Sequence, residues 1–165
     1  MMGRVSDDAV QDLRGMVDKV DKNMELKERL RKVQAKFELY KEAIRSGEGD
    51  PAALLNELKG LMNSSIEDGG LGLDANNSEE GQLLDKLPTS APGSQEDRDK
   101  LLSGQLKSFE TILDHRAQSL SDLGQKLQFQ LQEKNNIFTR ANKAQSDIQS
   151  KYDQSLNGIA NNLKG

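Results

Sequence analysis

Apolar residues recur at alternating spacings of three and four along the first part of the chain, which is typical of a coiled-coil seam. Ser6, followed by two aspartates, is a suitable N-cap for this helix. Gly47 can end it in the left-handed conformation. The sequence therefore predicts a flexible start at residues 1–5 and a helix over residues 6–46. After a one-residue slip in phase at its middle, the series resumes, and its members are Val10, Leu13, Val17, Val20, Met24, Leu30, Val33, Phe37, Tyr40 and Ile44.

A second and longer series predicts a helix over residues 95–165. Ser94 is its expected N-cap, with Asp97 completing a capping box. Gly104, Gly124 and Gly158 lower the stability of the helix at their positions. We consider a break of the helix near Gly124. Leu123 follows Leu120 by three residues, which would create an eleven-residue repeat and relax a left-handed supercoil. The apolar positions are Leu102, Leu106, Phe109, Leu113, Leu120, Leu123, Leu127, Leu131, Phe138, Ala141, Ile148, Tyr152, Ile159 and Leu163.

Residues 47–94 have a different pattern. Asp50 and Pro51 suit the cap and first position of a short amphipathic helix, which we expect to extend to residue 65. A second short helix is expected at Glu79–Leu87. The remainder is rich in glycine, acidic and turn-forming residues, which predicts a mobile, partly disordered insert.

A helix with a narrow apolar stripe is not stable alone in water, so the two long helices are natural partners. We therefore predict an all-α fold, a long antiparallel coiled-coil hairpin with the short acidic insert between its helices. The seam residues inside the hairpin are Leu30, Val33, Phe37, Tyr40, Ile44, Leu106, Phe109, Leu113, Leu120 and Leu127. Because the second helix is longer than the first, part of its stripe lacks an intramolecular partner. The residues expected to bind another copy or a chaperone are Phe138, Ala141, Ile148, Tyr152, Ile159 and Leu163.

Composition removes several classes of function. The chain has no cysteine, so disulfides, thiolate metal sites and cysteine catalysis are excluded. Its start has no apolar run typical of a cleaved signal peptide, and no run is long enough for a transmembrane helix. The net charge is −4, divided as +2 over residues 1–45, −9 over 46–97 and +3 over 98–165. No basic block dense enough to bind nucleic acid is present.

The candidate chemical sites are weak. Asp74 to Asp85 resembles a calcium loop, but Glu79 stands where an EF-hand needs glycine and Asp85 where it needs glutamate. The GGLG stretch at 69–72 has neither the strand nor the Lys-Ser/Thr of a phosphate loop. His115 is the single histidine, without a partner for a usual catalytic or metal site. The acidic pairs Asp7/Asp8 and Glu25/Glu28 are those of exposed helix positions. We expect no enzyme activity, metal or cofactor.

Fourteen asparagines and glutamines lie between Gln118 and Asn162. They are either the solvated face of a polar helix or part of a hydrogen-bonded docking surface. The stripe without a partner favours the second interpretation, and both remain open from sequence.

The pattern outside residues 47–94 resembles the hydrophilic extracellular proteins of bacterial type III secretion, namely the needle-tip and EspA-type filament proteins. The likeness lies in SLSDLGQKLQ, in NNIFTRANK and in the closing spacing of Ser155, Ile159, Asn162 and Leu163. The stretch ERLRKVQAKFELYKEAI is similar in style to the N-terminal coiled-coil arm of these proteins. The insert is too short for a large globular domain, so the filament-type subgroup is the better match.

The resemblance implies a virulence-associated structural protein that is exported without a cleaved signal peptide to the bacterial surface. It implies self-assembly at the needle tip, as a tip complex or filament that supports effector translocation. The implied partners are the needle protein, pore-forming translocators and a cytoplasmic secretion chaperone. A cytosolic coiled-coil adaptor or a secretion chaperone is the alternative.

Overall fold

The computed structural model describes the backbone of residues 2–164 and the side chains of residues 7–161. This part of the chain forms five helices and no strand: α1 (Met2–Ser46), α2 (Pro51–Asn63), α3 (Glu79–Asp85), α4 (Gln95–Ser103) and α5 (Gln105–Lys164). The all-α antiparallel hairpin of long helices is confirmed. The chain divides into two compact units. The paired-helix unit comprises Met1–Lys22 and Gly124–Gly165, and the core unit comprises Asn23–Leu123.

The core unit contains the second half of α1, helices α2 to α4 and the start of α5. In it α1 and α5 run antiparallel, since Asn23 bonds to Leu120 whereas Lys41 bonds to Glu110. The rings of Phe37 and Phe109 meet edge to face with centroids 4.8 Å apart. Every predicted seam residue of this unit is buried except Leu120, which is partly buried. Helices α2 and α3 and the segments that follow each of them cover this seam with Leu55, Leu58, Met62, Leu71, Leu84 and Leu87.

The buried face of α1 differs from the predicted one in its first half. Met16 is 8% and Asn23 4% exposed, whereas Val17 and Met24 are 40% and 57% exposed. Met16, Asn23, Leu30, Phe37 and Ile44 therefore follow one another at intervals of seven. The predicted slip in phase was wrong. The buried positions keep one phase throughout, and one of them is the polar Asn23, whereas the prediction considered apolar residues alone.

The corresponding position on α5 is a glycine. Gly124 is buried and Leu123 is 45% exposed, so the spacing Leu120–Gly124–Leu127–Leu131 is four, three, four. The predicted eleven-residue repeat was therefore wrong. Helix α5 is continuous through Gly124. The helical interruption lies at Gly104 instead, whose ψ of −95° ends α4 and separates it from α5.

Most predicted helix ends are confirmed. Asp50 accepts a hydrogen bond from the Ala53 amide at 3.1 Å, Ser94 accepts one from the Asp97 amide at 3.2 Å, and Gly47 has a φ of 71°. Helices α2 and α3 each end two residues before the predicted end, at Asn63 and Asp85. The prediction that was wrong is the cap at Ser6. Helix α1 begins at Met2, so Ser6 lies inside the helix rather than at its cap, and the expected flexible start is helical from residue 2. Residue 1 lies outside the described residues.

The insert, which the sequence predicted as mobile and partly disordered, has defined turns and two short helices in the structure. Its turns are closed by backbone hydrogen bonds such as Gly72 to Ser64 at 2.8 Å and Leu73 to Met62 at 2.7 Å. Gly70 and Gly81 are required by close packing, because a Cβ on either would lie 2.2 Å or less from a neighbouring backbone atom. The five leucines and one methionine that residues 47–94 bury in the core offset part of the entropy lost on ordering them.

Candidate assembly surface

The paired-helix unit contains the first half of α1 and most of α5. Met16 and Leu127 are buried, and Leu13, Val20 and Leu131 are partly buried. Lys134 Nζ lies 3.4 Å from Asp12 Oδ2, so these two residues face each other across the helix pair. Because both helices rise equally per residue, Met2 lies opposite about residue 144 of α5. Within the described chain, no residue of α1 lies opposite residues 146–161.

The side chains of α5 become exposed at this point. Phe138 and Ala141 are partly buried, whereas Ile148, Tyr152 and Ile159 are 51%, 59% and 57% exposed. The predicted interface therefore divides into a covered and an uncovered part. Leu163 lies outside the residues whose side chains are described.

Sequence reasoning missed one member of the exposed stripe. Leu156 is 47% exposed and neighbours Ser155, which takes the regular position of the three-four series. Leu156 could have been found from sequence, because it is apolar and adjoins the regular position at Ser155. It makes the exposed stripe wider. We use the name C-terminal stripe for Ile148, Tyr152, Ser155, Leu156 and Ile159.

The surroundings of the C-terminal stripe are polar but carry little charge. Gln149 donates a long hydrogen bond to Asp153 at 3.4 Å, along the helix. The other charged neighbours are Asp147 and Lys151. Burying the C-terminal stripe against another helix therefore removes few charged groups from water.

The core unit holds its charges differently, in partly buried pairs. Arg116 donates to both oxygens of Glu80, with distances of 2.9 and 3.1 Å, and Glu80 is 4% exposed as a residue. Arg29 donates to the carbonyl oxygens of Ile66 at 2.7 Å and Gly70 at 2.9 Å. One arginine from each long helix thus attaches the insert to the hairpin.

A second charged cluster joins α1 to α5 directly. Lys41 Nζ lies 2.8 Å from carboxylate oxygens of Glu38 and Glu110. Burial alone would lower the pKa of Lys41, but its hydrogen bonds to these two carboxylates raise it above the usual value. The hydrogen bond from Lys41 holds the pKa of Glu110 below its usual value. Burial also raises the pKa of Tyr40, whose hydroxyl donates to the Pro88 carbonyl at 2.5 Å.

Several oxygen atoms of the loop that resembles a calcium site accept hydrogen bonds from within the protein. Asp74 Oδ1 accepts from the amides of Asn76 and Asn77, at 2.8 and 3.1 Å. Ser78 caps α3, and Glu80 faces Arg116. In the described part of the chain, no group of three or more histidine or acidic side chains could hold a metal ion.

The remaining candidates belong to surface features. His115 is exposed at the rim of an open groove of about 610 Å³ between α3 and the start of α5, beside Lys107, Thr111 and Glu79. Gly69 and Gly72, in the GGLG stretch, have positive φ and form the turn that Arg29 binds.

The acidic pairs are exposed helix residues. Glu25 forms an ion pair with Arg29, Glu28 lies 3.5 Å from Arg31, and Asp7 and Asp8 are exposed.

Comparison with models of protein families, with curated proteins and with solved structures finds no match to the chain. No helix among the described residues is long and apolar enough to cross a membrane.

Proposed function

We propose that this protein is a structural component of a bacterial type III secretion apparatus, exported and self-assembling at the needle tip as a tip complex or filament. The observation that carries the proposal is the C-terminal stripe, a continuation of the α5 seam with more than 45% exposure at each of its four large apolar residues. Exposed apolar surface in a regular arrangement marks an interaction site.

The rest of the molecule supports a structural role. The core unit contains twelve large, fully buried side chains, which pack the long helices against each other and against α2 and α3. The charged groups named above form ion pairs and attachments rather than a cluster inside a pocket. The type of partner is taken from the resemblance described in the sequence, and the assembled protein would contact the needle protein and pore-forming translocators.

The C-terminal stripe would also be the surface that a cytoplasmic secretion chaperone covers before export. A chaperone that occupies the stripe prevents premature assembly, because the same apolar residues cannot bind two helices at once. The alternative, a cytosolic coiled-coil adaptor or secretion chaperone, would use the same stripe without export.

Export is tested with the full chain in a type III secretion strain and its derivative lacking a working secretion ATPase. We expect the protein in the culture supernatant of the first strain only. Retention in the cytosol of both strains would contradict the proposal and favour the adaptor or chaperone.

Assembly is tested with Ile148→Asp. A buried, unpaired carboxylate in a helix–helix contact is costly, so we expect loss of concentration-dependent polymers or rings in light scattering. Helicity by circular dichroism should remain, because Ile148 is exposed in the single chain. Leu39→Asp is the matched control, since Leu39 is 55% exposed on α1 and lies in the core unit. Equal assembly by the Ile148 variant and the unmodified chain would contradict the proposed surface.

A further inference from the structure

The C-terminal stripe has the geometry of a coiled-coil seam. Ile148, Tyr152, Ser155 and Ile159 follow at spacings of four, three and four, which continue the spacing of Leu127 and Leu131 in the α1–α5 contact. The same edge of α5 that binds α1 in the paired-helix unit therefore continues, uncovered, beyond the first described residue of α1. An antiparallel helix is the partner that this edge already accepts.

We propose that the helix covering the C-terminal stripe is the same segment of a second copy, lying antiparallel, with Ile148 opposite Ile159 and Tyr152 opposite Ser155. The inference rests on the proposed self-assembly and adds the orientation and register of one contact. The pairing is isologous, so each of these contacts occurs twice.

Side-chain size favours the antiparallel orientation over the parallel one. A parallel pair in register would place Tyr152 against Tyr152 and, one layer later, Ser155 against Ser155. Such a pair would be too wide at one layer and too narrow at the next, and helices cannot change their separation within one turn. The antiparallel register places a large side chain against a small one in both central layers, with isoleucines against each other at both ends. Uniform packing of this kind is what close-packed interfaces require.

Charge does not oppose this pairing. The positions that border the seam between Ile148 and Ile159 are Gln149, Lys151, Leu156 and Gly158, so one charged residue per copy lies at the edge. Lys151 can keep its ammonium group in water while its alkyl chain packs beside the stripe. Leu156 adds apolar area on the opposite edge.

The contact is too small to form a stable dimer alone. Four exposed apolar side chains on each copy bury less than the roughly 1,200 Å² of the smallest stable specific interfaces. We therefore expect dilute protein to be monomeric. The pairing becomes stable when other contacts raise the effective concentration of the two stripes, as in a ring or filament.

The experiment uses the absence of cysteine from the chain. Full-length Ile148→Cys and Ile159→Cys variants, one of them carrying a tag that changes its mobility, are mixed under assembly conditions and oxidised. We expect the disulfide between the two different variants to be several times more abundant than either disulfide between like variants. Circular dichroism verifies that both variants keep their helicity.

The other outcomes separate the inference from the proposed function. Predominance of disulfides between like variants would indicate parallel pairing and overturn the inference, while self-assembly would stand. Assembly without either cross-link would show that the stripe lies elsewhere in the polymer, which also overturns the inference. Strict monomers of the unmodified chain at high concentration would overturn the proposed self-assembly itself.

Discussion

At the scale of single residues, the most informative side chain is Asn23. The residue is 4% exposed, and its carboxamide donates to the Leu120 carbonyl across the helix pair at 3.0 Å. In a helix pair, one buried asparagine at a core position fixes which residues face each other and lowers stability. Asn23 therefore defines the hairpin register that apolar residues at equivalent spacing leave undefined.

Asn23→Leu tests this role, because leucine has nearly the shape of asparagine and Leu120 keeps its own helical hydrogen bond. We expect the free energy of unfolding to rise by about 1 kcal/mol, measured by chemical denaturation. Asn23→Ala is the control and should be destabilising, since it leaves a cavity. A leucine variant less stable than the unmodified chain would show that the hydrogen bond contributes more than the polar group costs.

The pair of Lys41 and Glu110 gives a pH dependence with a definite sign. The folded-state pKa of Glu110 is below its ordinary value of 4.5, so the unfolded chain binds the proton more tightly. The stabilisation is therefore complete above pH 4.5 and is lost as the pH falls through the folded-state value. We expect the denaturation midpoint to fall in this range, and Glu110→Gln to weaken the dependence. An unchanged pH profile in that variant would contradict the assignment to Glu110.

At the scale of elements, the insert is attached to the long helices by charge as well as by its leucines. Arg116→Met removes the partner of Glu80 and leaves a carboxylate with 6% side-chain exposure. Because Arg116 itself is 40% exposed, we expect a moderate loss of about 2 kcal/mol rather than the larger values of fully buried pairs. The double variant Glu80→Leu with Arg116→Met should recover most of this loss, measured by thermal unfolding. A double variant no more stable than Arg116→Met alone would contradict the account.

Sequence pattern predicted the helices better than the insert, for a physical reason. The periodic spacing from Leu30 to Ile44 and the caps at Asp50 and Ser94 are local signals, and the structure has them as expected. The order of residues 66–94 depends on contacts distant in sequence, such as Arg29 with Gly70, which periodicity cannot detect. Asn23 and Gly124 were not predicted as seam positions, because a polar residue and a glycine add nothing to an apolar periodicity. The exposed residues of the C-terminal stripe were found because their spacing is regular, and Leu156 was missed because it is one place away.

At the scale of the whole molecule, the two units differ in what stabilises them. The twelve large side chains that are less than 2% exposed all lie in the core unit. In the paired-helix unit, the described side chains include two buried apolar ones, Met16 at 8% and Leu127 at 9%. Local stability follows buried apolar contact, so one helix, α1, should open in two steps.

Hydrogen exchange of the full chain in its monomeric state measures this difference within α1. We expect amides of residues 13–20 to exchange at least about tenfold faster than those of residues 30–44, which corresponds to about 1.4 kcal/mol of opening free energy. Leu127→Ala should accelerate exchange in residues 13–20 and leave residues 30–44 protected. Phe109→Ala should accelerate exchange in both segments. Assembly through the C-terminal stripe should in turn slow exchange at residues 148–159, because docking removes the free helix face that allows them to open. Equal exchange along all of α1 would contradict the two-step opening, because the two units would then unfold together.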